Sequence, residues 1–213
     1  LNLMLSHRAA YDAIKSVNRN FIVGIVKHMV WYESRTHKFH MIDKIACRVL
    51  LWLNNEFFLA PLGKKNDIIG VNHYFTTHLK HLKENSPNDR VSDLGWWINP
   101  VGLENVLLTM KKYKVPIYIT ENGVADSKDM VRRDFIRDML IAVHRAIGKG
   151  VDVKGYFYWS LIDNYEWHHG FWPRFGLVHV RRHRNLEREM RPSAYYYSDI
   201  SRENTVSDDA DED

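Results

Sequence analysis

The 213-residue chain has a single cysteine, Cys47, and no uninterrupted apolar run of about 18 residues. One cysteine excludes an internal disulfide and is typical of a reducing compartment. The lack of a long apolar run gives no indication of a membrane span, and no secretory signal is visible. We therefore expect a cytoplasmic location and no membrane partner.

Signatures of bound metals and nucleotides are also missing from the sequence. The twelve histidines include the adjacent pair His168 and His169, but a ligand pair on a helix needs a spacing of about one turn, and Cys47 stands alone. Gly148-Lys149-Gly150 follows an apolar helical pattern, where glycine is expected as a cap and not as a phosphate cradle. No metal or cofactor is predicted.

Charge is unevenly distributed along the chain, whose formal net charge is +4. Five acidic residues after position 207 conceal a charge of +9 on the remainder, which allows a nucleic-acid interpretation. We favour a solvated hairpin around Arg184-Asn185, because turn chemistry explains the same charges without a partner. The acidic end, residues 202–213, is predicted to be disordered. The basic patch in question comprises Arg181, Arg182, His183, Arg184, Arg188 and Arg191.

One carboxylate stands out among the residues that are present. The apolar, β-branched run Ile117-Tyr118-Ile119-Thr120 predicts a buried strand, and Glu121 follows it directly, before Asn122-Gly123. We interpret Asn-Gly as an abrupt end to the strand. Glu121 is then placed at the carboxyl edge of the strand, where parallel α/β sheets and barrels keep their active sites.

A second segment interleaves aromatic and acidic residues. The strand-like run Gly155–Leu161 contains Trp159 and leads into Ile162–Trp167, which contains Glu166 and ends at Trp167. Indole rings can stack on the apolar C–H faces of a sugar while carboxylates accept hydrogen bonds from its hydroxyls. Each residue alone has an ordinary explanation, the indoles as core aromatics and Glu121 as a solvated acid, but the combination favours a sugar site.

These two segments resemble the nucleophile motif and the eighth-strand sugar-binding motif of family 1 glycoside hydrolases, the β-glucosidase and β-galactosidase group. Similarity to the family runs from about Ile68 to Ile200, with weaker matches at Ser6–Val17 and Phe21–Val26. Three further segments carry it: Asp67–Tyr74, Ser92–Trp96 and Phe171–Leu177.

The resemblance implies a (β/α)8 barrel, which typically needs about 250 residues, so 213 residues indicate part of one. Residues 1–201 would form the carboxyl-terminal half of a single barrel domain, with strands five to eight. We predict strands near Phe21–Val26, Asp67–Asn72, Pro116–Thr120 and Lys154–Ser160. We predict helices near Leu5–Val17, Met41–Leu53, Pro100–Tyr113, Met130–Gly148 and Pro192–Ile200.

The resemblance also assigns roles to individual residues. Glu121 would be the nucleophile of a retaining glycosidase, and Tyr74 would donate a hydrogen bond that helps to hold it ionised. Asn72 and Asn122 would support the site. On the substrate side, Trp159 would form the stacking floor, Glu166 would bridge two hydroxyls, Trp167 would donate from its indole, and Phe175 would lie near the exocyclic carbon.

The acid/base glutamate of the family motif Thr-x-Asn-Glu-Pro is not found. Asn54-Asn55-Glu56 looks similar, but Phe57 replaces proline and the segment lies too close to the next strand, so we interpret Trp52–Leu59 as a helix end. Three interpretations remain open. The chain is half of a β-glycosidase, truncated or paired with a separate amino-terminal half, or a carbohydrate-binding module without turnover. The third is an unproductive fragment that does not fold stably alone and self-associates or aggregates. Gluco, galacto, fuco and manno configurations are not distinguished.

Overall fold

The computed structural model describes residues 1–34 and 41–206. The helices are α1 (Asn2–Val17), α2 (Met41–Leu51), α3 (Phe57–Leu59), α4 (Pro100–Met110), α5 (Arg132–Gly148) and α6 (Pro192–Glu203). The strands are β1 (Gly24–His28), β2 (Trp31–Glu33), β3 (Ile68–Asn72), β4 (Thr76–Lys80), β5 (Lys83–Glu84), β6 (Ile117–Asn122), β7 (Val153–Tyr158), β8 (Val178–Arg181) and β9 (Glu187–Met190).

The central sheet has four strands in the order β1-β3-β6-β7, and every pair is parallel. These are the four strands that the sequence predicts, displaced by three residues or fewer at their ends. Each neighbour in the sheet is also the next long strand of the chain, with a helix in each connection, which is the order of four successive βα units. Two smaller sheets, β2-β4-β5 and the hairpin β8-β9, are separate from the central sheet.

One face of the central sheet forms the core with the helices. Ile69 and Val71 of β3 and Ile117 and Ile119 of β6 are at most 1% exposed. They belong to one buried cluster with apolar residues of α4 and α5, such as Leu107 and Met139. Alternate residues of each strand therefore face the helices. This pattern is expected of βα units, because each strand buries one face against the helix layer.

The opposite face of the sheet is open. Val26 and Phe157 are 52% and 57% exposed, although both are apolar strand residues. An open groove of about 240 Å³ runs along this face. In a closed barrel these side chains point into the packed interior. The residues lining the groove are Gly24, Ile25, Val26, Ile68, Gly70, Tyr118, Thr120 and Phe157.

Large and small residues alternate across this open face. A Cβ on Gly70 would lie 2.7 Å from a methyl group of Val26, and one on Gly155 would lie 2.9 Å from the Tyr118 ring. Val26 and Tyr118 therefore cover the glycines of the neighbouring strands. This is the layer pattern of a barrel interior, in which alternate strands supply the bulky side chains of one layer.

The helical segment after β2 is longer than expected. It continues from α2 through a π-helical turn, Trp52–Glu56, into α3 and a 3₁₀ turn, Ala60–Leu62. Trp52–Leu59 is thus the end portion of a helical segment, as expected, but the predicted helix bound at Leu53 is too early. The buried amide of Asn55 accepts from the Val30 N–H at 3.1 Å and donates to the Val30 carbonyl at 2.8 Å, so a tertiary contact holds this turn.

The same segment, Met41–Leu62, is long and apolar enough by length and composition to cross a membrane, with a mean hydropathy of 1.2 and 22% of the relevant window buried. The sequence analysis gave no indication of a membrane span, because charged residues interrupt every apolar run. A helix of this length and composition can include a few charged residues. Within the fold, the buried Asp43 carboxylate accepts from the N–H groups of His81 and Leu82 at 2.9 and 2.8 Å, which ties the start of the helix to the β4–β5 turn.

The predicted hairpin after the last long strand is confirmed. Strands β8 and β9 pair in antiparallel fashion, and Asn185 and Leu186 adopt positive φ in the turn between them. Arg181 pairs with Glu189, and the buried Arg191 donates to the Gly176 carbonyl at 2.9 Å. The first two residues of the predicted acidic tail, 202 and 203, belong to α6, and residues 207–213 lie outside the described part of the chain.

Candidate active site

Glu121 and Tyr74 meet at the carboxyl edge of the central sheet. Glu121 is the penultimate residue of β6, and Tyr74 follows β3 by two positions. The Tyr74 hydroxyl donates to Glu121 Oε2 at 2.5 Å. Burial raises the pKa of Tyr74 well above its ordinary value, and the hydrogen bond to Glu121 and the charges of Glu121 and Glu166 raise it further. The phenol therefore stays a donor.

Backbone pairing continues past the strand ends and fixes the position of Glu121. The His73 N–H donates to the Glu121 carbonyl at 2.9 Å, and the Trp159 N–H donates to the Asn122 carbonyl at 3.0 Å. Glu121 thus lies between two neighbouring chain segments. Its side chain is half-buried, so it is held in place and still reachable from solvent.

Strand β6 ends at Asn122-Gly123 as expected, but without a tight turn, because Gly123 has no positive φ. A Cβ on Gly123 would lie 1.8 Å from the Trp159 carbonyl oxygen. Glycine is needed here because the backbone after β7, which carries Trp159, passes directly against the backbone after β6.

Aromatic rings surround Tyr74. The Trp96 ring lies 5.8 Å from Tyr74 and the Phe175 ring 6.1 Å, both edge-on, and Trp96 and Phe175 are 6.2 Å apart. Phe175 is fully buried, so it supports the wall behind Tyr74. The sequence analysis did not count Trp96 or Phe75, whose rings are 5.0 Å apart, among the site residues.

Trp96 is presented by a tight turn whose signal is visible in the sequence. Gly95 has φ of +76° and its N–H donates to the Ser92 carbonyl at 2.8 Å. The Ser92 hydroxyl accepts from the Trp96 N–H at 3.2 Å. Asp93 Oδ2 accepts from the Ser127 N–H at 2.7 Å, which fixes this turn to the loop after β6. Ser-Asp-x-Gly before a tryptophan is a turn signature that could have identified it.

Glu166 and Trp167 lie on the loop that follows β7. The Asn164 amide donates to Glu166 Oε2 at 2.8 Å, and the Ser160 hydroxyl donates to Asn164 Oδ1 at 3.3 Å. This chain of bonds orients the carboxylate from the end of β7. Trp167 begins a 3₁₀ turn and is 80% exposed, so its indole is not a core residue.

Asn72 and Asn122 bond to protein groups on neighbouring strands. Asn72 Oδ1 accepts from the Thr120 hydroxyl at 2.6 Å. The buried Asn122 donates from Nδ2 to the His73 carbonyl at 2.5 Å and accepts from the Tyr156 hydroxyl at 2.8 Å. Both amides therefore hold β3, β6 and β7 in register around Glu121.

This arrangement can supply one carboxylate with a phenol donor, beside aromatic and polar side chains. Glu56, the look-alike of the acid/base motif, forms an ion pair with Lys112 on the helix side of the sheet and does not join this site. In the described residues no group of three or more histidine, cysteine or acidic side chains could hold a metal ion.

A parallel barrel sheet with a carboxylate at its carboxyl edge and an aromatic-acidic loop beside it defines the architecture of a barrel glycosidase. The family model described as glycosyl hydrolase family 1 matches residues 55–206. The chain belongs to this family, and the (β/α)8 barrel that the resemblance implies is its fold, of which it supplies about strands five to eight.

Relatives and solved structures support membership of this family. The chain is 34% identical to a beta-galactosidase of Sulfolobus acidocaldarius, over 98% of this chain and 48% of that protein. It is similar to the structure of a beta-glycosidase from Pyrococcus horikoshii, with a TM-score of 0.86, 35% identity, and coverage of 97% of this chain and 53% of that one. A beta-glucosidase from Thermotoga maritima in complex with glucoimidazole gives a TM-score of 0.85 at 26% identity, over 96% and 56%. The chain thus spans about half the length of such relatives.

Proposed function

We propose that this chain supplies the nucleophile and most of the first sugar subsite of a retaining β-glycosidase, acting on β-glucosides or β-galactosides. The observation that carries the proposal is the hydrogen bond from Tyr74 to Glu121 at the carboxyl edge of the barrel sheet. Family membership supports glycoside hydrolysis, and the beta-galactosidase and beta-glucosidase relatives support the substrate class.

In the proposed reaction, Glu121 attacks the anomeric carbon, the bond to the leaving oxygen breaks, and a covalent glycosyl-enzyme forms. Tyr74 remains protonated and donates to Glu121 before the attack, which keeps the other carboxylate lone pairs aimed at the sugar. Trp159 would stack on the sugar ring while Glu166 and Trp167 would bond to its hydroxyls. Water then releases the sugar and frees Glu121.

A retaining enzyme also needs a general acid about 5 to 5.5 Å from the nucleophile. We propose that this group, and the four strands that would close the barrel, lie on polypeptide that this chain does not include, as an upstream segment or a separate half. The open face of the sheet, with Val26 and Phe157 more than half exposed, supports this partner. The single buried Cys47 is in keeping with a cytoplasmic setting.

The test uses a leaving group that needs no proton. The chain is incubated with 2,4-dinitrophenyl 2-deoxy-2-fluoro-β-glucoside, and intact-mass and peptide mass spectrometry follow the adduct. We expect one fluoroglucosyl group on Glu121 and none in Glu121→Gln. Glu56→Gln is the matched control, since it removes a carboxylate that pairs with Lys112 and should leave the labelling unchanged.

A folded chain that gains no label would contradict a competent nucleophile site in this polypeptide. If the same chain still bound glucose in a titration, it would act as a carbohydrate-binding module. Labelling that persists in Glu121→Gln, or that disappears in Glu56→Gln, would place the nucleophile elsewhere.

A further inference from the structure

A chain of buried hydrogen bonds crosses all four strands directly beside Glu121. His73 Nδ1 lies 2.9 Å from the carbonyl of Met29, the residue after β1. The His73 carbonyl accepts from Asn122 Nδ2 at 2.5 Å, and Asn122 Oδ1 accepts from the Tyr156 hydroxyl at 2.8 Å. We name these four residues, Met29, His73, Asn122 and Tyr156, the strand clasp.

His73 is the centre of the clasp and is fully buried. A carbonyl only accepts hydrogen bonds, so Nδ1 must carry the proton that it donates to Met29, and the imidazole is in one fixed tautomer. Burial lowers the pKa of His73 to about 4, so the ring is neutral at physiological pH. The ring therefore acts as a permanent donor that joins the end of β1 to the end of β3.

The clasp reaches the reacting carboxylate from both sides. The His73 N–H donates to the backbone carbonyl of Glu121, and the next residue, Tyr74, donates to its carboxylate. The neighbour of Glu121 on the other side, Asn122, is itself a member of the clasp. A displacement of His73 thus moves both the backbone and the side-chain partner of Glu121.

We propose that His73 is a positioning residue for Glu121: its imidazole bond to Met29 sets the place of the segment that carries Tyr74, and thereby the orientation of the nucleophile. Its effect is on geometry, since no ring atom of His73 contacts the carboxylate. Sequence reasoning did not single it out, because a histidine between Asn72 and Tyr74 has no pattern that distinguishes it from an ordinary core residue.

The kinetic test of this inference rests on the proposed function. A second readout is therefore included that does not depend on turnover. The variant is His73→Phe, which keeps a ring and removes the donor. His73→Asn is the rescue variant, because its amide N–H can occupy the place of Nδ1. His78→Phe is the matched control: His78 is also buried and its Nδ1 lies 3.0 Å from the Asn85 carbonyl, on β4 and away from Glu121.

The independent readout is the Tyr74 hydroxyl, followed at neutral pH by ¹³Cζ-tyrosine NMR with the resonance assigned through Tyr74→Phe. The ring carbon that carries the hydroxyl changes its chemical shift when the phenol donates to a carboxylate, as Tyr74 does to Glu121. In His73→Phe we expect this bond to be lost and the Tyr74 resonance to move toward that of a free tyrosine. His73→Asn should restore most of the original chemical shift, and His78→Phe should leave it unchanged.

The kinetic readout is the rate of labelling of Glu121 by the fluoroglucoside. We expect His73→Phe to lower the maximal labelling rate at least about tenfold while the half-saturating reagent concentration stays within about twofold, since orientation and not sugar contact is lost. If the unaltered chain gains no label, the proposed function fails, and the Tyr74 resonance alone decides the role of His73.

The proposal is overturned if the Tyr74 resonance of folded His73→Phe is unchanged from that of the unaltered chain, or if His78→Phe has the same effect as His73→Phe. Should His73→Phe fail to fold, Tyr156→Phe opens the other end of the clasp by removing one hydroxyl. It is expected to move the Tyr74 resonance in the same direction, and an unchanged resonance would refute the clasp.

Discussion

Glu121 and Tyr74 are 47 positions apart in the chain and share one hydrogen bond. Their pairing was predictable, because both follow strands of a parallel sheet and the resemblance assigns them to one site. The close backbone approach at Gly123 was not, since nothing in the local Asn-Gly pattern indicates that the Trp159 carbonyl lies where a Cβ would be. The exposure of Trp167 and the complete burial of Phe175 also depend on contacts that pattern alone does not contain.

Replacement of Gly123 tests this close approach. In Gly123→Ala the new methyl group would overlap the Trp159 carbonyl, so the ends of β6 and β7 must separate. We expect a loss of about 2–3 kcal/mol in the free energy of unfolding and a large loss of Glu121 labelling. Urea titration followed by tryptophan fluorescence measures the first quantity.

Gly148→Ala is the matched control for that substitution. Gly148 is the last residue of α5, and nothing lies within 4 Å of the position of its Cβ. We expect a change of less than about 1 kcal/mol. Equal effects of the two alanines would mean that the crowding at Gly123 does not exist.

At the scale of elements, helix α5 is anchored by a buried arginine. Arg132, its first residue, donates to the Tyr158 hydroxyl at 2.9 Å and to the carbonyls of Asp126 and Arg174 at 2.6 and 2.8 Å. It also forms an ion pair with Asp129. One side chain therefore joins α5, the end of β7, and the loop that carries Phe175.

Removal of this anchor is expected to be costly. Arg132→Met removes the guanidinium that pairs with the Asp129 carboxylate and its bonds to Tyr158, Asp126 and Arg174, and leaves Asp129 with its Ser193 donors but no cation, so we expect about 3–5 kcal/mol of destabilisation. Arg133→Met changes the neighbouring exposed arginine, whose guanidinium lies 5.1 Å from the Tyr196 ring, and should cost less than about 1 kcal/mol. Thermal unfolding of both variants beside the unaltered chain compares them, and similar losses would contradict the anchor.

Most helices and strands were predictable from hydrophobic periodicity and from glycine and proline at their ends. The four long strands and helices α1, α4, α5 and α6 lie within three residues of their expected bounds, and the glycine cap after α5 is confirmed by Gly150 at φ +84°. The predicted bound at Leu53 is too early, because the helical turns that continue to Leu62 are held by bonds between Asn55 and Val30, which lie 25 positions apart and leave no local pattern. The sheet β2-β4-β5 was missed because its strands have two to five residues and too little pattern.

At the scale of the whole molecule, in residues 1–34 and 41–206 the central sheet has two parallel edges without a neighbouring strand, on β1 and β7, and one open apolar face. The family resemblance, together with the length and the order of elements, was sufficient to predict this half-barrel. Such edges and faces favour association with other chains. The partner cannot be read from one sequence, because any four strands with a matching inner face would close the barrel.

We expect the isolated chain to self-associate with increasing concentration. Val26→Lys combined with Phe157→Lys places charge on the open face and should shift sedimentation velocity profiles toward the monomer. Val101→Lys combined with Ile147→Lys adds the same charge to helix positions that are 51% and 44% exposed, and should leave association unchanged. Equal shifts from the two pairs would indicate a general charge effect instead of closure through the open face.

The strand clasp has a consequence for the order in which the molecule is assembled. Its bonds and the Tyr74 bond join residues 34 to 49 positions apart, so each requires the closure of a long loop before it forms. Helices α1, α4 and α5 depend on local contacts and can form earlier. During synthesis, a nascent chain that has passed Glu121 but not Tyr156 and Trp159 would carry Glu121 without the strand that locates it. The site around Glu121 is then among the last features to mature.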